Sequence, residues 1–201
     1  GLTTLQVMET VDYVYRLHGA DLGFHTGVAL ASHLNLPLRW ESTREEEAAR
    51  KGDARIGEDV LVHFDTGARF NHYSADVQRT VPASDRFTPE QRRVYQVVLD
   101  VQQAVIAAVR PGVTWQDLHD LAVRMLRDAG GWDESYTYGI GHFVGLEVHE
   151  HGDYVGPLRP GMVLAIEQGA IVDGTRVALE DDVLVTANGH EWLTRFIPIE
   201  M

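Results

Sequence analysis

Residues 141–149 read Gly-His-Phe-Val-Gly-Leu-Glu-Val-His, and the rest of the chain is best understood outward from this stretch. Its two imidazoles lie among glycines, downstream of two aspartates and upstream of two glutamates. The aspartates are Asp65 and Asp76, and the glutamates are Glu167 and Glu180. Four carboxylates and one imidazole could hold two metal ions.

The composition fits one soluble domain. A chain of 201 residues with 44% apolar residues can bury a substantial core. No apolar run approaches the roughly 20 residues that a membrane-spanning helix needs, and the N-terminus lacks the pattern of a signal peptide. We therefore expect a soluble, cytoplasmic protein that does not act on a membrane.

Charge and cysteine content limit the chemistry. The absence of cysteine excludes disulfides, thiolate nucleophiles and cysteine-ligated zinc, so any metal must bind to oxygen and imidazole. A net charge of −13 without a cluster of lysine and arginine disfavours binding to phosphate. We therefore expect no nucleic-acid partner.

Three helices are predicted from threonine caps that precede apolar residues at helical spacing. They are expected over residues 3–19, 88–110 and 114–129. The second helix has a proline at its first helical position and ends before Pro111-Gly112. The third ends at Gly130-Gly131, because glycine is favoured at helix C-termini.

Short β-rich runs make up most of the remaining sequence. They cover residues 29–37, 60–65, 142–148, 163–171, 176–187 and 192–198. Gly67 and Asn71 predict a turn after the second run, so that Asp65 and Asp76 face each other across a hairpin. Residues 41–56 are charged and are interpreted as an exposed loop or short surface helix. The order helix, strands, helices, strands predicts an α+β domain.

The acidic residues are placed where carboxylates are unusual. Two aspartates facing each other would repel strongly, and a divalent metal would remove that conflict. Glu167 interrupts an apolar strand, and a buried carboxylate is rare unless it is paired or coordinates a metal. Of residues 180–182, Glu-Asp-Asp, at least one is expected to point inward. Each acid alone is more often a cap, turn or ion-pair residue, but together they indicate a metal centre.

Five motifs carry a resemblance to a known family. They are residues 57–67, 76–80, 141–149, 160–167 and 180–186. Together they resemble the pita-bread metallopeptidases, and most closely the branch of Xaa-Pro dipeptidase (prolidase) and aminopeptidase P. The resemblance implies an α+β fold of two pseudo-symmetric halves, with a curved antiparallel sheet and outer helices. It also implies that residues 1–201 are a single catalytic domain, truncated at the N-terminus and lacking the separate N-terminal domain of the family.

All five metal ligands of the family have counterparts in this chain. They are Asp65, Asp76, His142, Glu167 and Glu180. By resemblance, Asp76 and Glu180 bridge two divalent ions, Asp65 chelates one ion, and His142 with Glu167 holds the other. Oxygen-rich ligation without sulfur favours manganese, with cobalt or zinc as alternatives.

The implied reaction is hydrolysis of an Xaa-Pro bond by a metal-bridging hydroxide, with a proline-containing dipeptide or short peptide as substrate. Glu167 is expected to carry a proton from the attacking water to the leaving nitrogen. His149 is expected to face the substrate and donate to its carbonyl; the alternative is a strand-end histidine bonded to the backbone. The resemblance also allows a homodimer.

Several positions depart from the family pattern, and three of them are expected to support the centre. Tyr138 replaces a histidine, and Ile171 and Ala178 stand where a tyrosine and an arginine are usual. Unreplaced loss of such supporting groups can cost about 10–100-fold in metal affinity or activity. Arg176 is either a compensating group or a solvated surface residue. Two further hypotheses therefore stay open: an enzyme like methionine aminopeptidase, with the same five ligands, and a catalytically weak pita-bread binding module.

Overall fold

A computed structural model of the chain describes residues 1–31, 54–136 and 139–199. Within these residues the helices are α1 (Thr4–Leu17), α2 (Pro89–Ala108) and α3 (Trp115–Asp128), with a short 3₁₀ turn at Trp132–Ser135. Each α-helix begins after a threonine that forms a reciprocal capping box with the third helical residue. The pairs are Thr3 with Gln6, Thr88 with Gln91 and Thr114 with Asp117. The three predicted helices are confirmed.

The described strands form two antiparallel sheets. They are β1 (Asp21–Leu22), β2 (Gly27–Leu30), β3 (Leu61–Thr66), β4 (Ala68–Phe70), β5 (Tyr73–Ser74), β6 (Val77–Pro82), β7 (Gly141–Phe143), β8 (Val163–Val172), β9 (Thr175–Val185) and β10 (His190–Trp192). The larger sheet has the order β2-β3-β6-β9-β8-β7, with β10 also paired to β9, and the smaller has the order β1-β4-β5. This is the predicted α+β architecture, and the curled antiparallel sheet is that of the pita-bread fold.

The two halves of the large sheet meet where β6 pairs with β9. Their register pairs Gln78 with Glu180, two residues that are 102 positions apart (180 − 78 = 102). On either side, Asp65 of β3 pairs with Gln78, and Glu167 of β8 pairs with Glu180. Four strands therefore place four polar residues in a single row across the sheet.

The hydrophobic core lies mainly between α2, α3 and the β8–β9 half of the sheet. On α2, Val94, Val98, Val101 and Val105 recur at helical spacing and are almost completely buried. Each fully buried side chain of this size contributes about 1.5–3 kcal/mol relative to an exposed one. The first half has a smaller apolar cluster around Val28, Leu30 and Val62. The larger core fixes β8 and β9, which carry the two glutamates.

The predicted hairpin between residues 65 and 76 is wrong in its register. A separate hairpin of β4 and β5 lies between β3 and β6, and it joins the small sheet with β1. Because this inserted hairpin sets the return of the chain, Asp65 pairs with Gln78, and Asp76 comes just before β6. The two aspartates are therefore diagonal neighbours and not a directly facing pair.

Several strand boundaries also differ from those expected. The 142–148 run forms a strand only over Gly141–Phe143, and the 192–198 run is mostly turn, with β10 ending at Trp192. In the 29–37 run, Ala29 and Leu30 belong to β2, whereas residues 32–53, including most of the predicted 41–56 loop, lie outside the described residues. None of the helices that the structure describes is long and apolar enough to cross a lipid bilayer.

Candidate metal centre

Sheet register alone brings three of the candidate ligands together. Asp65, Glu180 and Glu167 stand in one row across β3, β9 and β8, with Gln78 of β6 between the first two. Side chains of directly paired residues point to the same face of a sheet, with Cβ atoms about 4.5–5.5 Å apart. The row therefore concentrates three carboxylates on one face.

Asp76 joins this group from the short irregular link between β5 and β6. It is buried, and its backbone N–H donates to Asp182 Oδ2 at 3.1 Å. The chain can approach here only because residue 67 is glycine: a Cβ at Gly67 would lie 1.8 Å from the carbonyl oxygen of Ala75. This close backbone contact sets the position of Asp76 beside the row.

His142 approaches the carboxylates from β7. Its Nε2 atom lies 3.4 Å from Asp76 Oδ2 and 3.4 Å from Glu180 Oε1, while its Nδ1 atom lies 3.2 Å from the carbonyl oxygen of Phe143. The preceding Gly141 has a φ of 138°, and a Cβ there would lie 1.8 Å from the carbonyl oxygen of Ala165. Glycine is thus required for β7 to bring the imidazole into the centre.

The burial of several acids in one place raises their pKa values. Burial, followed by the charges of Asp76 and Glu167, raises the pKa of Asp65 to about 8. Burial also raises the pKa values of Glu167 and, more strongly, Glu180. Burial alone would lower the pKa of His142, but the Asp76 and Glu180 carboxylates outweigh it and raise that pKa to about 11. Without a cation, protons must neutralise this centre.

The unsatisfied atoms fit a divalent cation. Among the described residues, Asp76 Oδ1 and both carboxylate oxygens of Glu180 are buried without a hydrogen-bond partner, apart from the approach of His142 to Glu180. Asp76, His142 and Glu180 offer ligand atoms that all lie within 4.8 Å of one another. Buried carboxylates are expected to be paired or to coordinate a metal, and oxygen with imidazole is a common ligand set for divalent ions.

The centre opens into a small cleft of about 260 Å³. The residues that line it are Phe24, Asp65, Asp76, Gln78, His142, Val148, His149 and Glu167. The His149 ring lies 4.2 Å from that of His142, between their centroids, and burial followed by the charge of His142 lowers the pKa of His149. The structure thus brings together all five residues predicted as metal ligands and both residues predicted as catalytic, Glu167 and His149.

The structure describes two of the three positions that depart from the family pattern, together with Arg176. Tyr138 lies outside the described residues. Ile171 pairs with Arg176, and Ala178 is buried on β9, two residues before Glu180. The interpretation of Arg176 as a solvated surface residue is wrong, because the residue is only 8% exposed. Burial, followed by the charge of Arg176, lowers the pKa of His63 to about 3.

Sequence reasoning missed the groups that support the centre. Glu180, Asp181 and Asp182 are all buried, although only one of them was required to point inward. Asp181 accepts a hydrogen bond from Arg79 Nη2 at 2.7 Å and one from Gln102 Nε2 at 3.2 Å. A run of three acids within an otherwise apolar strand is the signal that could have indicated these partners.

Comparison with known proteins places this geometry in a family. The chain matches the model of metallopeptidase family M24 over residues 1–187 and belongs to this metal-dependent peptidase family. It is 34% identical over 204 residues to an uncharacterized peptidase of Staphylococcus saprophyticus, covering 98% of this chain and 54% of that protein. An uncharacterized peptidase of Staphylococcus aureus is 30% identical over 202 residues, with the same coverage. The chain therefore spans about half the length of these curated relatives.

Solved structures show the same fold. The prolidase from Pyrococcus horikoshii is 31% identical, with a TM-score of 0.84 over 97% of this chain and 55% of that one. Pseudomonas aeruginosa aminopeptidase PepP is 29% identical, with a TM-score of 0.86 over 98% and 50% of the two chains. Escherichia coli aminopeptidase P, at 23% identity and a TM-score of 0.87 over 98% and 50%, resembles the chain in fold alone.

Proposed function

We propose that this chain is the catalytic domain of an exopeptidase that hydrolyses the bond between an N-terminal residue and proline, with two divalent ions, most suitably manganese. The observation that carries the proposal is the buried group of Asp76, His142 and Glu180, whose unsatisfied oxygens lie beneath a small cleft. Asp65 and Glu167 line the same cleft and complete a set of four carboxylates and one imidazole.

The five residues reach the centre from different strands. Asp76 and Glu180, whose carboxylates each approach His142 Nε2 at 3.4 Å, would hold the ions together with that imidazole. Asp65, on the β3 side of the row, and Glu167, on β8, would supply the remaining carboxylates.

Two side chains, Glu167 and His149, are proposed to act in proton transfer and hydrogen bonding during the reaction. When bound, the ions make the attacking water more acidic and polarise the scissile carbonyl. Glu167 accepts a proton from that water and delivers it to the proline nitrogen as the carbon–nitrogen bond breaks. His149, on the cleft wall beside His142, donates to the carbonyl oxygen as negative charge develops there.

The size and lining of the cleft support a short, proline-containing substrate. Its volume of about 260 Å³ is below the roughly 300–1,000 Å³ of common ligand pockets, as expected for the end of a peptide. Phe24 and Val148 supply apolar surface for a pyrrolidine ring. The nitrogen of proline in the scissile bond carries no N–H, so the cleft needs no acceptor at that point.

Hydrolysis of Ala-Pro by manganese-loaded protein, with Ala-Ala and Met-Ala-Ser as comparison substrates, tests the proposal. We expect turnover of Ala-Pro, and its loss in Glu167→Gln with metal still bound. Preferred release of methionine from Met-Ala-Ser would instead establish an activity like that of methionine aminopeptidase. Normal metal binding without hydrolysis of any of the three peptides would establish a binding module and overturn the proposal.

A further inference from the structure

Asp182 makes a long-range contact that neither the row of ligands nor the proposed chemistry uses. It lies on β9 two residues after Glu180, is only 4% exposed, and accepts the backbone N–H of Asp76 through Oδ2 at 3.1 Å. Residues two apart on a strand point to the same face, so the side chains of Asp182 and Glu180 approach the centre together. Glu180 and Asp182, from the same short segment of β9, therefore both lie at the centre.

Asp182 is itself held firmly on its backbone. Its N–H donates to Thr194 Oγ1 at 3.2 Å, and its carbonyl oxygen accepts the N–H of Leu193 at 2.9 Å. Its neighbour across β8 is Ala165, which is fully buried. The Asp182 carboxylate therefore offers a fixed hydrogen-bond acceptor to the segment that contains Asp76.

Asp76 needs such an acceptor because it lies before β6, outside the regular ladder of that strand. Because the peptide unit is planar, fixing the N–H of Asp76 also fixes the position of its Cα atom, from which the side chain extends. The Asp76 carboxylate, in turn, reaches 3.4 Å from His142 Nε2. A loose Asp76 backbone would let this carboxylate turn away from the centre.

We propose that Asp182 is a positioning residue that holds the Asp76 backbone so that the Asp76 carboxylate faces the metal centre. This inference rests on the proposed function, in which Asp76 is a metal ligand. The Asp182 Oδ2 atom is engaged by the Asp76 N–H, and the described group whose ligand atoms cluster within 4.8 Å consists of Asp76, His142 and Glu180. Asp182, which is not one of the five proposed ligands, thus acts through Asp76.

Substitutions at position 182 separate positioning from charge and from bulk stability. Asp182→Asn keeps an acceptor oxygen but loses the charge, while Asp182→Leu keeps a similar shape and loses the acceptor. We expect Asp182→Leu to lower the affinity for Co²⁺ about 10–100-fold and to change the visible spectrum of the bound ion. Asp182→Asn should remain close to wild type in both. The exposed Asp128→Asn is the matched control and should change neither.

Each result bears on the inference. Equal losses of Co²⁺ affinity in Asp182→Asn and Asp182→Leu would show that charge matters and would overturn it. A lower unfolding temperature in Asp182→Leu with unchanged Co²⁺ affinity would do the same, since it would reveal a structural role only. If wild type binds no Co²⁺, the proposed function itself fails. If Asp182→Leu does not fold, hydrogen exchange of the Asp76 amide in wild type decides: slow exchange supports the contact, and fast exchange refutes it.

Discussion

Glu180 and Asp181 are consecutive residues of β9, both are completely buried, and they point to opposite faces of the sheet. Glu180 faces His142, at 3.4 Å. Asp181 faces the other way, where it accepts hydrogen bonds from Arg79 Nη2 at 2.7 Å and Thr194 Oγ1 at 2.6 Å. Arg79 also donates to the Glu180 carbonyl oxygen at 2.7 Å, so the ion pair behind the sheet anchors the carboxylate in front of it.

Arg79→Met is expected to destabilise the fold strongly. It leaves the Asp181 carboxylate buried without its cationic partner, a change that costs about 3–5 kcal/mol. Chemical denaturation of the metal-free protein measures the effect. Arg93→Ala is the control, because its pair with Glu90 is exposed to solvent and such pairs contribute little to stability. Similar losses in the two variants would contradict the anchoring role.

Glu180→Gln is expected to change metal affinity and metal-free stability in opposite directions. The side chain is fully buried and burial raises its pKa well above the usual range, so the metal-free protein favours the neutral acid, which a neutral amide resembles. The metal-free protein should unfold at the same or a higher temperature. Metal affinity should fall by more than the roughly 10–100-fold that loss of an outer partner costs. Calorimetric titration with Mn²⁺ and thermal unfolding together measure both changes, and a loss of metal-free stability would count against this account.

The stabilisation by metal is expected to grow with pH. The pKa of Asp65 is raised to about 8 from an unfolded value of about 3.9, so its contribution to stability is present below the lower value and is lost as pH rises through the higher. His142, raised to about 11 from about 6.5, contributes in the same direction. The metal-free protein should therefore become less stable from about pH 6 to about pH 9.

A divalent ion replaces those protons, and its binding releases them. The unfolding temperature with Mn²⁺ should thus exceed that with a chelator by a larger margin at about pH 8.5 than at about pH 6. Thermal unfolding in both conditions tests this. A margin that narrows as pH rises would show that the buried carboxylates are not the groups that bind the ion.

Gly67→Ala and Gly141→Ala are each expected to disturb the centre. In both, the new Cβ would lie 1.8 Å from a backbone carbonyl oxygen, which cannot move aside as a flexible side chain could. Overpacking of this kind costs about 1–3 kcal/mol, and more where the backbone must shift. Gly189→Ala is the control, since no atom lies within 4 Å of its added Cβ. Thermal unfolding and Co²⁺ titration would show an effect in the first two variants and little in the third.

Local sequence signals account for the helices and for the candidate ligands. Thr88 and Gln91 predicted the start of α2 because a capping box depends on residues three positions apart. Glu167 could be identified as a candidate because an acid within an apolar strand is unusual. Such features are readable without knowledge of the fold.

The register around Asp76 was not predictable in the same way. The inserted β4–β5 hairpin decides that Asp65 pairs with Gln78, and register depends on turn geometry that composition does not specify. The hydrogen-bond partners of Asp181 and Asp182 could not be predicted from the sequence for another reason. Arg79 and Asp76 lie more than 100 positions earlier in the chain, and only the completed sheet brings them into contact.

The junction of β6 with β9 also governs when the centre can exist during synthesis. Asp65 and Asp76 leave the ribosome long before Glu180, and the Gln78–Glu180 pairing must form before the row is complete. Such distant pairing is slow, because the entropy of closing a long loop opposes it until native contacts form. An ion held by residues from both halves of the sheet would stabilise only chains in which β6 has paired with β9. Metal binding would therefore mark the last stage of folding.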